Sequence, residues 1–159
     1  MNVEGGSMEL FNSGCIYQAV EVVDSIRNTR DAEQAGEKGA DALKEYLDKL
    51  NVKLDMLSKE TRNEMKDGKR KALNSLITLN VNHRNLIKDI HARVVEIGQM
   101  GFSEIWNQQL RHYWEENRVK VKCSSYVMNY KYEYTGIVSR LVVTPLTRTA
   151  YQTLARGMY

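Results

Sequence analysis

Three histidines, His83, His91 and His112, are the side chains best suited to acid–base or metal chemistry at neutral pH. None stands in a spacing that such chemistry requires. There is no Glu-x-x-His pair and no nucleophile motif beside any of them, so each reads as a surface or packing histidine, with His112 packing beside Tyr113 and Trp114. Cys15 and Cys123 lie far apart and outside any Cys-x-x-Cys or metal spacing. They fit either one disulfide or, as the preferred reading for an intracellular chain, two free buried thiols. Nucleotide hydrolysis would need a glycine-rich phosphate loop, and no Gly-x-x-x-x-Gly-Lys-Ser/Thr occurs. Gly36-Glu37-Lys38-Gly39 and Gly68-Lys69 have the wrong spacing and read as turns before helices.

The densest functional signal is Tyr126 to Tyr151. Tyr126, Met128, Tyr130, Tyr132 and Tyr134 share one side of a period-two pattern, and Val127, Asn129, Lys131 and Glu133 share the other. Aromatics on a strand beside Lys120, Lys122 and Lys131 could stack on single-stranded nucleic acid. The preferred alternative is that they cover a neighbouring helix, with Trp106 and Trp114 available to meet them.

The positioning elements are mostly helical. Ile16, Val20, Val23 and Ile26 predict a helix from Cys15 to about Ile26, followed by a polar loop from Asn28 to Gly39. Leu43, Leu47, Leu50, Leu54 and Leu57 form a heptad seam too short for a free coiled coil, which predicts packing on a helix of the same chain. A stand-alone helical interaction module is the functional alternative this seam raises. Asp67-Gly68 breaks the chain before a long helix from about Lys69 to Ile97. Asn80, Asn82 and His83 interrupt its apolar face, predicting a kink or a polar contact there. Ser103 is expected to cap a helix from Glu104 to about Glu116 with Ile105, Trp106, Leu110, Tyr113 and Trp114 on its apolar face. Arg118 to Cys123 reads as an edge-type strand turning at Ser124-Ser125 into the tyrosine strand. A last helix is expected to start at Thr147, just after Pro145. The fold class is therefore mainly α: a helical segment of three to four helices, then a small antiparallel β element and a C-terminal helix.

Bulk properties agree with one folded unit. The chain has 159 residues, 42% hydrophobic and 27% charged. No apolar run reaches the roughly 20 residues that cross a bilayer, and the N-terminus lacks a signal-peptide layout, so a soluble intracellular protein is expected. The net charge of +3 is unevenly spread. Residues 1–117 carry 16 basic and 19 acidic side chains, whereas residues 118–159 carry 7 and 1. The basic end could face phosphates, or simply lack carboxylates.

Several of these pieces occur in an order that resembles dynein heavy chains. Tyr132-Glu133-Tyr134-Thr135-Gly136, Arg140-Leu141-Val142 and Thr144-Pro145-Leu146-Thr147 match the run where the dynein linker meets the first AAA+ module. Upstream, Trp106 and Gln109-Leu110-Arg111-His112-Tyr113-Trp114 resemble the family's Trp-x-x-Gln-Leu-Arg-Tyr-Tyr-Trp stretch. Leu43-Lys44-Glu45-Tyr46-Leu47 resembles a helix near the linker's end, and Val81-Asn82-His83-Arg84 matches more loosely. The resemblance covers roughly residues 15–157.

It implies a division into a disordered N-terminus over 1–14, the helical end of the linker over 15–117, and the start of the first AAA+ module over 118–159. It implies a part in an ATP-driven, minus-end-directed microtubule motor, in the cytoplasm and cytoskeleton or a ciliary axoneme. Partners implied are the rest of the heavy chain with its AAA+ ring, dynein intermediate and light intermediate chains, and microtubules through other regions. Membrane is not implied. The full-length family uses ATP with magnesium. Val143, Thr144, Pro145, Leu146 and Thr147 would lie near the adenine, while no catalytic or metal residue is implied. No cofactor is expected for this segment alone, because the phosphate loop is missing, so the chain reads as a fragment, a truncated gene model or a divergent remnant without turnover of its own. It departs from the family where Asp-Arg-Cys-Tyr would follow the Thr-Pro-Leu-Thr run; Arg148-Thr149-Ala150-Tyr151 stands there instead, so contacts made by that acid and arginine do not carry over.

Overall fold

A computed structural model of the chain describes residues 11–12, 16–136 and 140–157, apart from the side chains of Pro145, Gln152, Ala155 and Arg156. Among these residues the order is α1 (Tyr17–Lys38), α2 (Ala40–Glu60), α3 (Asp67–Ile97), α4 (Met100–Trp106), β1 (Arg111–Glu115), β2 (Arg118–Cys123), β3 (Tyr126–Asn129) and α5 (Pro145–Gly157). The mainly helical class with a small sheet and a final helix is as the patterning predicts. Cys15 and Ile137 to Ser139 lie outside the described residues, as does most of the 1–14 stretch expected to be disordered. Phe11 and Asn12 are helical, and Phe11 is buried against Tyr17 under the Lys69 ammonium.

The first three helices run up, down and up with short connections. The expected loop at 28–39 is instead the second half of α1. Its polar residues Asn28 and Thr29 are buried partners of other elements, so tertiary contacts hold them helical against their local preference. Only Gly39 breaks the helix, at φ 101°, a left-handed-side conformation that glycine reaches without strain. Gly36 stays helical and allows close approach: a Cβ there would sit 2.3 Å from the Phe102 ring. Gly98, at φ 73°, ends α3, its N–H bonded to Val94 O at 2.8 Å.

Two apolar clusters fill the bundle. One joins Ala32, Ala35, Leu43, Tyr46, Leu50, Leu86, Ile87, Ile90, Val94, Phe102 and Trp106; the other joins Phe11, Val20, Leu57, Ala72, Leu73 and Leu76. The α2 seam therefore faces α1 and α3, with Leu43, Leu50 and Leu57 buried and Leu47 and Leu54 half-buried.

The expected helix from Glu104 to Glu116 is also corrected. Ser103 lies inside α4, which ends at Trp106, and Arg111-His112-Tyr113-Trp114-Glu115 is strand β1. The aromatic Tyr113 and Trp114 favour a strand, and the Glu116-Asn117 pair closes a two-residue hairpin with positive φ at both positions (52° and 58°). The sheet order β1-β2-β3 puts β2 in the centre rather than at an edge. Register pairs Trp114 with Val119 and His112 with Val121, while β3 pairs Met128 with Val121. Val119, Val121 and Cys123 are buried. β3 stops at Asn129, and Tyr132 takes φ 55°, so the period-two tyrosine pattern does not continue as a strand.

Candidate functional site: the junction of helices, sheet and final helix

The middle of the bundle is polar. Between the two apolar clusters, Asp24 accepts from Lys53 Nζ at 2.6 Å and from Asn80 Nδ2 at 2.8 Å, and Asn28 lies within 3.3 Å of the same carboxylate. All three side chains, Asp24, Asn28 and Asn80, are buried. One level along, the Tyr46 hydroxyl lies 2.9 Å from His83 Nε2. Burial, with the nearby Lys53 charge, pushes the His83 pKa down to about 4. Burial, with the Asp31 and Asp24 charges, pushes the Tyr46 hydroxyl above its ordinary range. The layer thus combines the Lys53–Asp24 ion pair with neutral donors and acceptors. The Asn80-Asn82-His83 interruption of α3 is a set of polar contacts with its neighbours.

The sheet is tied to α1 through Glu33, which accepts from Trp106 Nε1 at 3.1 Å and from the Tyr113 hydroxyl at 2.5 Å. The His112 backbone N–H donates to Thr29 Oγ1 at 3.2 Å. Burial, and then the charge of Arg140, lowers the His112 pKa to about 4. Both histidines are therefore neutral packing groups. His91 is not brought near either, and the described residues hold no group of three or more His, Cys, Asp or Glu able to bind a metal.

The segment after β3 crosses α1 and α3. Gln18 Nε2 donates to Tyr130 Oη at 2.8 Å and to Glu133 O at 2.7 Å, and Gln18 Oε1 accepts from Thr135 N–H at 3.0 Å. Arg140 pairs with Glu21 at 2.6 Å. Asn82 takes both backbone groups around Val142, donating to Leu141 O at 3.4 Å and accepting from Val143 N–H at 3.1 Å. Thr144 and Thr147 then make a reciprocal cap. Thr144 N–H donates to Thr147 Oγ1 at 2.8 Å, and Thr147 N–H to Thr144 Oγ1 at 3.3 Å. Proline occupies the first helical position, where its missing N–H costs nothing. Helix α5 therefore begins at Pro145, with Thr144 as its cap, two residues before the expected start at Thr147.

The expected adenine-proximal residues thus lie together at the head of α5. Val143 is half-buried, Thr144 and Leu146 are exposed, Thr147 is half-buried, and the Pro145 side chain lies outside the described residues. Their N–H groups at 143, 144 and 147 are already committed within the chain, and Leu146 is an exposed apolar side chain beside them. Arg148, standing where an acid is usual in the resembled family, pairs with Asp89 of α3 at 3.0 Å.

The tyrosines do not form a flat platform. Tyr130 and Tyr132 meet edge to face, and the Tyr132 hydroxyl accepts from Val119 N–H at 2.8 Å. Patterning did not single out Gln18, Glu21, Glu33 or Asp24, whose roles depend on partners more than 25 positions away; the polar break at Asn80 and Asn82 was the visible signal. No helix among the described residues is long and apolar enough to cross a membrane.

No protein-family model matches the chain. It is 29% identical to dynein axonemal heavy chain 12 of Homo sapiens over 143 residues, which is 89% of this chain and 4% of that protein. The Mus musculus counterpart is 31% identical over the same 143 residues. Dynein axonemal heavy chain 3 of Mus musculus is 33% identical over 138 residues, 86% of this chain and 3% of that protein. The homologues of this chain are axonemal dynein heavy chains, and it spans only a few per cent of their length.

Proposed function

We propose that this chain is the junction of a dynein heavy chain, in which the last helices of the linker lever meet the start of the first AAA+ module. The observation that carries the reading is that the homologous stretch combines a helical body with a separately capped helix. Val143 and Arg148 of the connecting segment are held by Asn82 and Asp89 of α3. In this assignment residues 15–117 are lever, and residues 118–159 begin the ATP-binding module; their boundary falls at the β1–β2 turn.

The role is mechanical coupling within a microtubule motor of the dynein complex, in the cytoskeleton and, by its axonemal homologues, a cilium. The rest of the heavy chain with its AAA+ ring, intermediate and light intermediate chains, and microtubules are its partners in that setting. ATP with magnesium supplies the driving chemistry. The turn from Val143 to Thr147 would lie against the base with the exposed Leu146 side chain making the apolar contact, and the phosphates and magnesium would be held by other parts of the motor. The chain carries no phosphate loop in its sequence, and by itself it does not turn over ATP.

Photolabelling tests this placement. In a chimaeric axonemal heavy chain 12 carrying this sequence in the homologous stretch, 8-azido-ATP should label the peptide spanning Val143 to Thr147, and excess ATP should suppress it. Efficient labelling elsewhere in the same motor with none on this peptide overturns the adenine placement.

A further inference from the structure

We propose that residues 130–136 and 140–148 form a latch. Polar side chains of α1 and α3 hold this segment, with α5 at its end, on the helical body and release it without unfolding that body.

The attachment is polar. Gln18 bonds Tyr130, Glu133 and Thr135; Glu21 pairs with Arg140; Asn82 brackets Val142 through Leu141 O and Val143 N–H; Asp89 pairs with Arg148. The apolar side chains of the same segment contribute little to holding it. Leu141 is 72% exposed, Val142 60% and Leu146 80%. The two apolar clusters that stabilise the bundle contain none of these residues. Hydrogen bonds and ion pairs at partly wet sites contribute far less than buried apolar area, so a segment held by them opens locally at lower cost than the core.

Two of the holding side chains have firm seats. Glu21 is mostly buried, and Asn82 lies two positions from Asn80, which is locked into the Asp24 layer. An amide side chain reading one donor and one acceptor on either side of Val142 takes the place a neighbouring strand would occupy. It fixes the segment's register without covering its apolar residues. Leu141, Val142, Leu146 and, on α5, Tyr151 and Leu154 are already exposed in the attached state, and release would let them move together away from the body. This inference does not depend on what α5 joins.

Amide hydrogen exchange on the 159-residue chain tests it. The Val143 and Thr135 amides should show protection, yet exchange at least tenfold faster than those of Leu73 and Ile87. Asn82→Ala should raise Val143 exchange about tenfold, the equivalent of one lost hydrogen bond of ~1.4 kcal/mol, with Leu73 and Ile87 unchanged. Gln18→Ala should do the same for Thr135 alone. In the unsubstituted protein, raising sodium chloride from 50 mM to 1 M should speed exchange around Arg140 and Arg148. The latch is overturned if Val143 and Thr135 exchange only at the core's rate, or if both substitutions leave them unchanged. Should Asn82→Ala unfold the chain, the rates of the unsubstituted protein decide between these outcomes.

Discussion

His83 and His112 carry the clearest consequence at the scale of single residues. Each is held near 4, against an ordinary 6.5, because the folded chain shields the imidazole from water and places a cation nearby. Between pH 6.5 and 4 the unfolded chain therefore binds protons that the folded chain does not, so stability is complete above 6.5 and falls as pH drops through that window. The loss from pH 7 to 5 should be about 3–4 kcal/mol for the pair, read by urea denaturation. Replacing both with glutamine should flatten the pH dependence over that interval; an equally steep slope in the double variant would show that other groups produce it. Periodicity alone could identify these histidines as packing groups. It could not identify their partners, because Tyr46 and Thr29 reach them through the fold.

At the scale of elements, the leucine seam and the long helix α3 were legible because an apolar stripe of helical period leaves little choice of partner face. The second half of α1 was not. Its glycines and polar residues imitate a loop, and only the neighbours show that Asn28 is satisfied by Asp24 and Asn80 and that Gly36 admits Phe102. β1 was hidden for a similar reason, since Trp106 to Trp114 holds aromatics at spacings that fit a helix until the Glu116-Asn117 turn is taken into account. Gly36→Ala tests the close approach of α1 and α4. Alanine should favour the helix by ~1 kcal/mol, but its methyl would collide with the Phe102 ring, which is stacked on Trp106. A net destabilisation of about 1–2 kcal/mol is expected in thermal or urea unfolding. A stabilised variant would mean that the contact is loose.

For the whole molecule, the two apolar clusters and the polar layer between them make the three long helices one body whose register is specified. Leucines alone would tolerate a slip of one heptad along the seam; Asp24, Lys53 and Asn80 would then lose one another in a buried setting. The sheet is anchored to that body by Glu33, while α5 stands on it through a polar strap. This contrast between a firmly packed helical body and a lightly attached helix fits the proposed junction, which would pass force between two larger parts. The proposed nucleotide contacts at Val143 to Thr147 rest on resemblance alone, since no spacing rule marks an adenine-facing turn. The Asn82 contact was foreshadowed only by the polar break in α3.

The central claim is coupling, and microtubule gliding measures it most directly. A chimaeric axonemal heavy chain 12 motor carrying this chain in its homologous stretch should move microtubules in ATP, with gliding speed and ATP turnover within a few-fold of the parent. The same motor with a helical spacer replacing only the stretch homologous to residues 15–117 should hydrolyse ATP without sustained gliding. A chimaera that hydrolyses ATP at the parent's rate and moves no microtubules would contradict the assignment of this chain as the junction between lever and motor.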